Sequence, residues 1–155
     1  MASSPYITEP GMTRLKNELE QLWSRRRDVV KALSAAAAEG DRSENAEYIY
    51  RKKELRGLDR RIRYLQKRMP DLRVIADKPA DDDTVFFAAY VFLQTEHGDE
   101  VEYRIVGPDE IDHEKGNISL DSPLAKALLG KQIDDEVTIH VQAGKKNYAV
   151  LAIRY

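Results

Sequence analysis

The chain has no cysteine among its 155 residues. That excludes disulfides and thiolate metal sites, and it fits a reducing cytoplasm. Aromatic residues are few, at 8%, and Trp23 is the only tryptophan. No apolar run approaches the roughly 18 residues of a membrane-spanning helix. Met1 to Pro10 lacks the basic start and apolar centre of a secretory signal. A cytoplasmic protein with no membrane partner is expected. Glycine-rich phosphate loops, zinc spacings and a workable Ser/His/Asp order are all missing. His97, His113 and His140 are too scattered for a metal cluster and read as surface or sheet residues. A self-contained enzyme is not expected.

Charge is plentiful and unevenly placed. Charged residues make up 34% of the chain and the net charge is only −2. Residues 13–69 hold 16 Lys and Arg against 9 Asp and Glu, whereas residues 70–155 hold 9 against 17. A basic half joined to an acidic half implies different partners for the two.

The basic half carries two mirrored amphipathic stretches. Leu15, Leu19, Leu22, Arg26, Val29, Leu33 and Ala36 step by alternating threes and fours, as do Tyr48, Arg51, Leu55, Leu58, Ile62, Leu65 and Met69. This is the heptad spacing of a coiled-coil seam. Folding back near residue 42 sets Ala36 opposite Tyr48 and Leu15 opposite Met69 in one continuous register. The expectation is an antiparallel helical hairpin of roughly 40 Å at 1.5 Å per residue. The first arm starts at a cap supplied by Thr8 or Thr13 and runs to about Glu39, with Gly40 at its end. The second runs from about Ser43 to Met69, and Pro70 ends it. Arg26 and Arg51, on seam positions, would snorkel out of a narrow interface. Trp23 falls beside the seam and reads as packing. Internal pairing makes a coiled-coil dimer unnecessary, and a monomer is expected.

Beyond residue 76 the period changes. Residues 77–83 read as a linker between a hairpin domain of residues 1–76 and a second domain of residues 84–155. Thr84–Thr95, Val101–Val106, Ile118–Leu120, Glu136–Gln142 and Asn147–Tyr155 read as strands. Ala143-Gly144-Lys145-Lys146 is a hairpin turn between the last two. Ser122-Pro123 opens a short helix closed by Gly130. The fold class is α+β, with a small, mainly antiparallel sheet and one helix.

Two constellations carry chemistry. Asp41-x-x-Glu44 fits a capping box with Asp as the cap. It equally offers two carboxylates to a hard cation such as Mg²⁺, which takes one or two protein carboxylates and keeps several waters. A pair alone binds weakly, so further ligands would come from a partner. Along the second arm, Arg51, Lys52, Lys53, Arg56, Arg60, Arg61, Arg63, Lys67 and Arg68 outnumber nearby acids Glu47, Glu54 and Asp59. The surplus suits a nucleic-acid backbone.

Ala36-Ala37-Ala38-Glu39-Gly40-Asp41-Arg42-Ser43-Glu44-Asn45-Ala46-Glu47-Tyr48 closely resembles the tip of the Gre family of bacterial transcript-cleavage factors. Asp121-Ser122-Pro123-Leu124-Ala125-Lys126-Ala127-Leu128-Leu129-Gly130-Lys131 resembles a second signature of that family. The resemblance spans about residues 6–155. The basic run after Tyr48, together with Arg42, is similar to the GreB branch. It implies a coiled-coil hairpin followed by an FKBP-like domain that docks beside the secondary channel of bacterial RNA polymerase, with Ser122 and Pro123 in the docking region. By the same resemblance, Asp41 and Glu44 would help hold a second Mg²⁺, shared with the polymerase and not bound stably by this chain alone, and would orient water for hydrolysis of backtracked RNA. Ser43 and Asn45 would support the tip. Arg51, Lys52, Lys53, Arg56 and Arg60 would meet the nascent RNA 3′ segment. The chain would then be an accessory that activates another enzyme's site. A non-cleaving regulator of the same channel is the alternative. An FKBP-type prolyl isomerase is a weaker one, because Phe86, Phe87 and Phe92 read as core packing rather than an aromatic pocket.

Overall fold

The computed structural model describes residues 3–39 and 45–155. Two compact units divide the chain, one of Met12–Leu72 and one combining the segment up to Gly11 with Arg73–Tyr155. Residues 3–11 and 73–83, expected with the hairpin or in a linker, therefore belong with the sheet.

The first unit is a pair of helices. Helix α1 spans Glu9–Ala37 and α2 spans Ala46–Arg68. Thr8 starts α1, its Oγ1 accepting from Gly11 N at 3.2 Å, so Thr8 and not Thr13 is the cap. Asn45 caps α2 with extended backbone, its side chain accepting from Tyr48 N at 3.1 Å. Helix α2 thus starts three residues later than expected, and its cap is Asn45 rather than Asp41. Pro70 ends α2 as expected, in a single 3₁₀ turn over Met69–Asp71.

The arms run antiparallel. Asn45 Nδ2 donates to Ala36 O at 2.8 Å near one end. Arg26 meets Asp59 at 2.7 Å midway, and Arg61 meets Glu18 at 2.7 Å toward the other end. Leu15, Val29, Ala36, Ile62 and Leu65 are buried, all on seam positions. Leu19, Leu22, Leu55 and Leu58 are only half-buried. Two helices alone cannot enclose a full heptad seam, so ion pairs flank it.

The second unit is mixed α+β. A two-stranded parallel ribbon joins β1 (Tyr6–Thr8) to β2 (Arg73–Ile75). The five-stranded sheet comprises β3 (Tyr90–Thr95), β4 (Glu100–Val106), β5 (Asn117–Ser119), β6 (Glu136–Val141) and β7 (Gly144–Arg154). Its order is β5-β4-β3-β7-β6, antiparallel except for the parallel β4–β5 pair. The hairpin turn is tighter than expected, because Val141 pairs with Gly144 and only Gln142 and Ala143 lie between. The strand read over Thr84–Thr95 begins only at Tyr90. Upstream, Thr84 makes one isolated bridge to Gln132, and Ala88 has φ 75°.

Helix α3 (Pro123–Leu128) covers the sheet with Ala125 and Leu128, both fully buried. They join Val85, Ala89, Val91, Leu93, Ile105, Val137 and Val150 in one core. Phe87 packs on that core, whereas Phe86 and Phe92 are exposed, against the expectation of core packing for all three.

A buried carboxylate ties β1 to the sheet. Glu110 accepts from Thr8 N at 3.0 Å, from Gly107 N at 2.8 Å and from the Thr8 hydroxyl. A Cβ at Gly11 would sit 2.0 Å from Glu110 Oε1, and one at Gly107 would sit 1.9 Å from Tyr6 O. Glycine is required at both positions by close approach. Among the described residues no helix is long and apolar enough to cross a membrane.

Candidate functional site

Asp41, Ser43 and Glu44 lie outside the described residues. What the structure supplies is their boundary. Asn45 caps α2 with its carbonyl oxygen and grips α1 with its amide, so this one side chain joins the two arms where the chain reverses.

The basic residues of α2 sort into two sets. Arg51 faces the seam. Its guanidinium bonds Glu47 at 2.8 Å and Glu54 at 2.9 Å, and those hydrogen bonds hold its pKa above the ordinary arginine range. Glu54 also receives Arg25 at 2.8 Å, and its carboxyl is held below the usual range chiefly by that bond, then by Arg51, against the opposing effect of burial. Glu18 is lowered in the same sense by Arg61. The cross-helix acids are thus used within the hairpin.

Lys52, Arg56, Arg60, Arg63 and Lys67 form the second set. At about 100° per residue their spacing confines all five to roughly 80° of the helix surface. All are exposed. Among the described residues no ion pair engages any of them. Lys53 is exposed on the flank of this stripe. Of the residues expected to meet nucleic acid, Lys52, Lys53, Arg56 and Arg60 therefore lie together, and Arg51 does not join them. Arg63 and Lys67 extend the stripe. Their i, i+3 and i+4 spacing was the signal for including them.

Ser122 and Pro123 sit at the start of α3. Ser122 Oγ accepts from Ala125 N at 3.3 Å, Pro123 takes the first helical position and is exposed, and Asp121 accepts from Ser4 N at 2.9 Å. The signature segment is thereby held rigid against the core through Ala125 and Leu128.

Residues 5–74 match the family model described as "Transcription elongation factor, N-terminal", and residues 80–155 match "Transcription elongation factor, GreA/GreB, C-term". The transcription elongation factor GreB of Xanthomonas axonopodis pv. citri is 56% identical over 155 residues, covering 99% of this chain and 92% of that protein. The one from Pseudomonas aeruginosa is 52% identical over 155 residues with the same coverage. A crystal structure of Gfh1 from Thermus aquaticus is 25% identical, covering 99% of this chain and 100% of that chain, with a TM-score of 0.46. The chain belongs to the GreA/GreB family of transcription elongation factors and is a GreB-like member.

Proposed function

We propose that this elongation factor acts at the secondary channel of bacterial RNA polymerase and stimulates hydrolysis of backtracked nascent RNA. It is an accessory, and the polymerase performs the bond cleavage. The observation that carries this reading is Asn45, which caps α2 and bonds Ala36 O of α1, so that the sequence between those two residues, Asp41 and Glu44 included, forms the connection between two long arms.

Two carboxylates are hard oxygen donors, and their number fits what Mg²⁺ takes from protein. Asp41 and Glu44 would supply part of a ligand set that the polymerase completes. Such a cation, when bound, supplies a water of lowered pKa and neutralises charge on the leaving oxygen. Ser43 and Asn45 would hold the connection so that both acids face the same way. The stripe from Lys52 to Arg60, with Lys53 beside it, would draw the RNA 3′ segment along α2 through its phosphates. Ser122 and Pro123, on the rigid start of α3, would dock on the polymerase.

The test is RNA cleavage in a stalled, backtracked elongation complex supplied with Mg²⁺. The native chain is expected to stimulate cleavage by the polymerase, and the Asp41→Ala/Glu44→Ala variant is expected to bind polymerase without stimulating it. Binding without cleavage by both proteins would replace this reading with that of a non-cleaving channel regulator.

A further inference from the structure

Trp23 is not packed away. The only tryptophan of the chain is 38% exposed, on α1 beside the seam. It forms one wall of a groove of about 330 Å³ lined by Trp23, Arg26, Asp59, Ile62, Arg63 and Gln66. That volume falls within the roughly 300–1,000 Å³ range of small-ligand clefts. The floor is Ile62, 3% exposed. One end is closed by the Arg26–Asp59 pair at 2.7 Å, with the Arg26 guanidinium 5.9 Å from the Trp23 ring centroid. Arg63 belongs both to this groove and to the cationic stripe of α2.

We infer that this groove receives a nucleobase of single-stranded RNA, stacked on Trp23 while its phosphates run over Arg60, Arg63 and Lys67. An exposed aromatic face beside a cationic track is the arrangement that single-strand binders use. The cations hold the backbone, and the ring accepts any base because every base has a π face. Gln66 adds an amide to the lining. Four of the six lining side chains, Arg26, Asp59, Arg63 and Gln66, are charged or carry an amide. The positive stripe alongside favours a polyanion. Trp23 lies 14 residues from the end of α1 at Ala37, about 21 Å along the helix axis. A base bound there would belong to a long extruded segment. The proposal rests on α2 being an RNA-facing surface.

Because Trp23 is the sole tryptophan, its emission reports on this groove alone. The full chain is titrated with an end-labelled single-stranded oligouridylate, following probe anisotropy and tryptophan emission together. Saturable quenching with the same midpoint as the anisotropy is expected. An abasic oligonucleotide of equal length should bind with no quenching. Trp23→Leu should weaken oligouridylate binding about tenfold, while Trp23→Phe, which keeps a stacking ring, stays within about threefold of the native chain. Unchanged helicity by circular dichroism separates this loss from unfolding. RNA binding with unchanged emission, and Trp23→Leu binding like the native chain, would overturn the groove assignment and leave the stripe reading intact. Equal quenching by the abasic strand would overturn stacking. No binding of the oligouridylate at any salt concentration would overturn both readings.

Discussion

The hairpin and the sheet unit are held together in different ways. The sheet unit closes around Val91, Leu93, Ile105, Leu128 and Val150, none of which is exposed at all. The hairpin buries a single seam and leaves most of its side chains at the surface, where Glu18, Glu54 and Asp59 bind arginines of the opposite arm. A two-helix element has too little interior to spend residues on packing, so its surface is available for recognition. A sheet with a covering helix has an interior, and that gives the exposed start of α3 at Ser122-Pro123 a rigid seat. Substitutions in the sheet unit should therefore act on stability, and those on the hairpin on recognition.

That contrast can be broken most forcefully in the core. Leu93→Ala should cost about 2–5 kcal/mol in urea unfolding, because the cavity it leaves is enclosed. Leu22→Ala on the half-buried seam should cost clearly less. Equal losses would mean that the hairpin seam packs like a core.

At the turn, the reverse pattern is expected. Asp41→Ala with Glu44→Ala should lower stimulated cleavage by at least the roughly hundredfold typical of a disturbed metal site, with an unchanged unfolding midpoint. A matching loss of stability would make the two acids structural.

Replacing Arg56 and Arg60 by alanine should reduce RNA binding and lower the slope of log affinity against log salt by about 0.7 for each lost phosphate contact. Arg51→Ala should leave that slope unchanged and instead weaken α2 locally, since its guanidinium is engaged with Glu47 and Glu54 of the same helix.

Asn45→Ala should cost about 1 kcal/mol of helix stability through the lost cap, more if the bond to Ala36 O contributes separately. Backbone hydrogen exchange should rise at the start of α2 and remain unchanged in the sheet.

The smallest effect concerns pH. Glu18 and Glu54 are lowered below the ordinary glutamate range by Arg61 and by Arg25 with Arg51. A depressed folded-state value adds stability that is fully present above the ordinary range and is lost as pH falls through the depressed one. The pairs are partly exposed, so a few tenths of a kcal/mol each is the expected scale, shrinking with salt. Glu18→Gln should flatten that acid slope, as read by helicity between neutral and acidic pH.

Much of this is legible in the sequence alone. The alternating threes and fours from Leu15 to Ala36 and from Tyr48 to Met69 specify two amphipathic helices by local periodicity. Pro70 and Ser122-Pro123 mark an end and a start through backbone chemistry that acts within one turn. The Lys52-to-Lys67 stripe follows from helical spacing alone.

Other features needed the tertiary structure. β1 and β2 are three residues each and pair residues 67 positions apart in sequence, so neither carries a period long enough to read. Gly11 and Gly107 are required by a glutamate and a carbonyl distant in sequence, and Thr8 became the cap because Glu110 holds it. Phe86 and Phe92 look like core by composition, but the sheet's pleat and the turn before β3 put both outside. Trp23 looks like packing by type, yet it stays 38% exposed along the groove it shares with Arg26 and Ile62. In each case local sequence determined what the backbone can do, and only the long-range arrangement decided what each side chain meets.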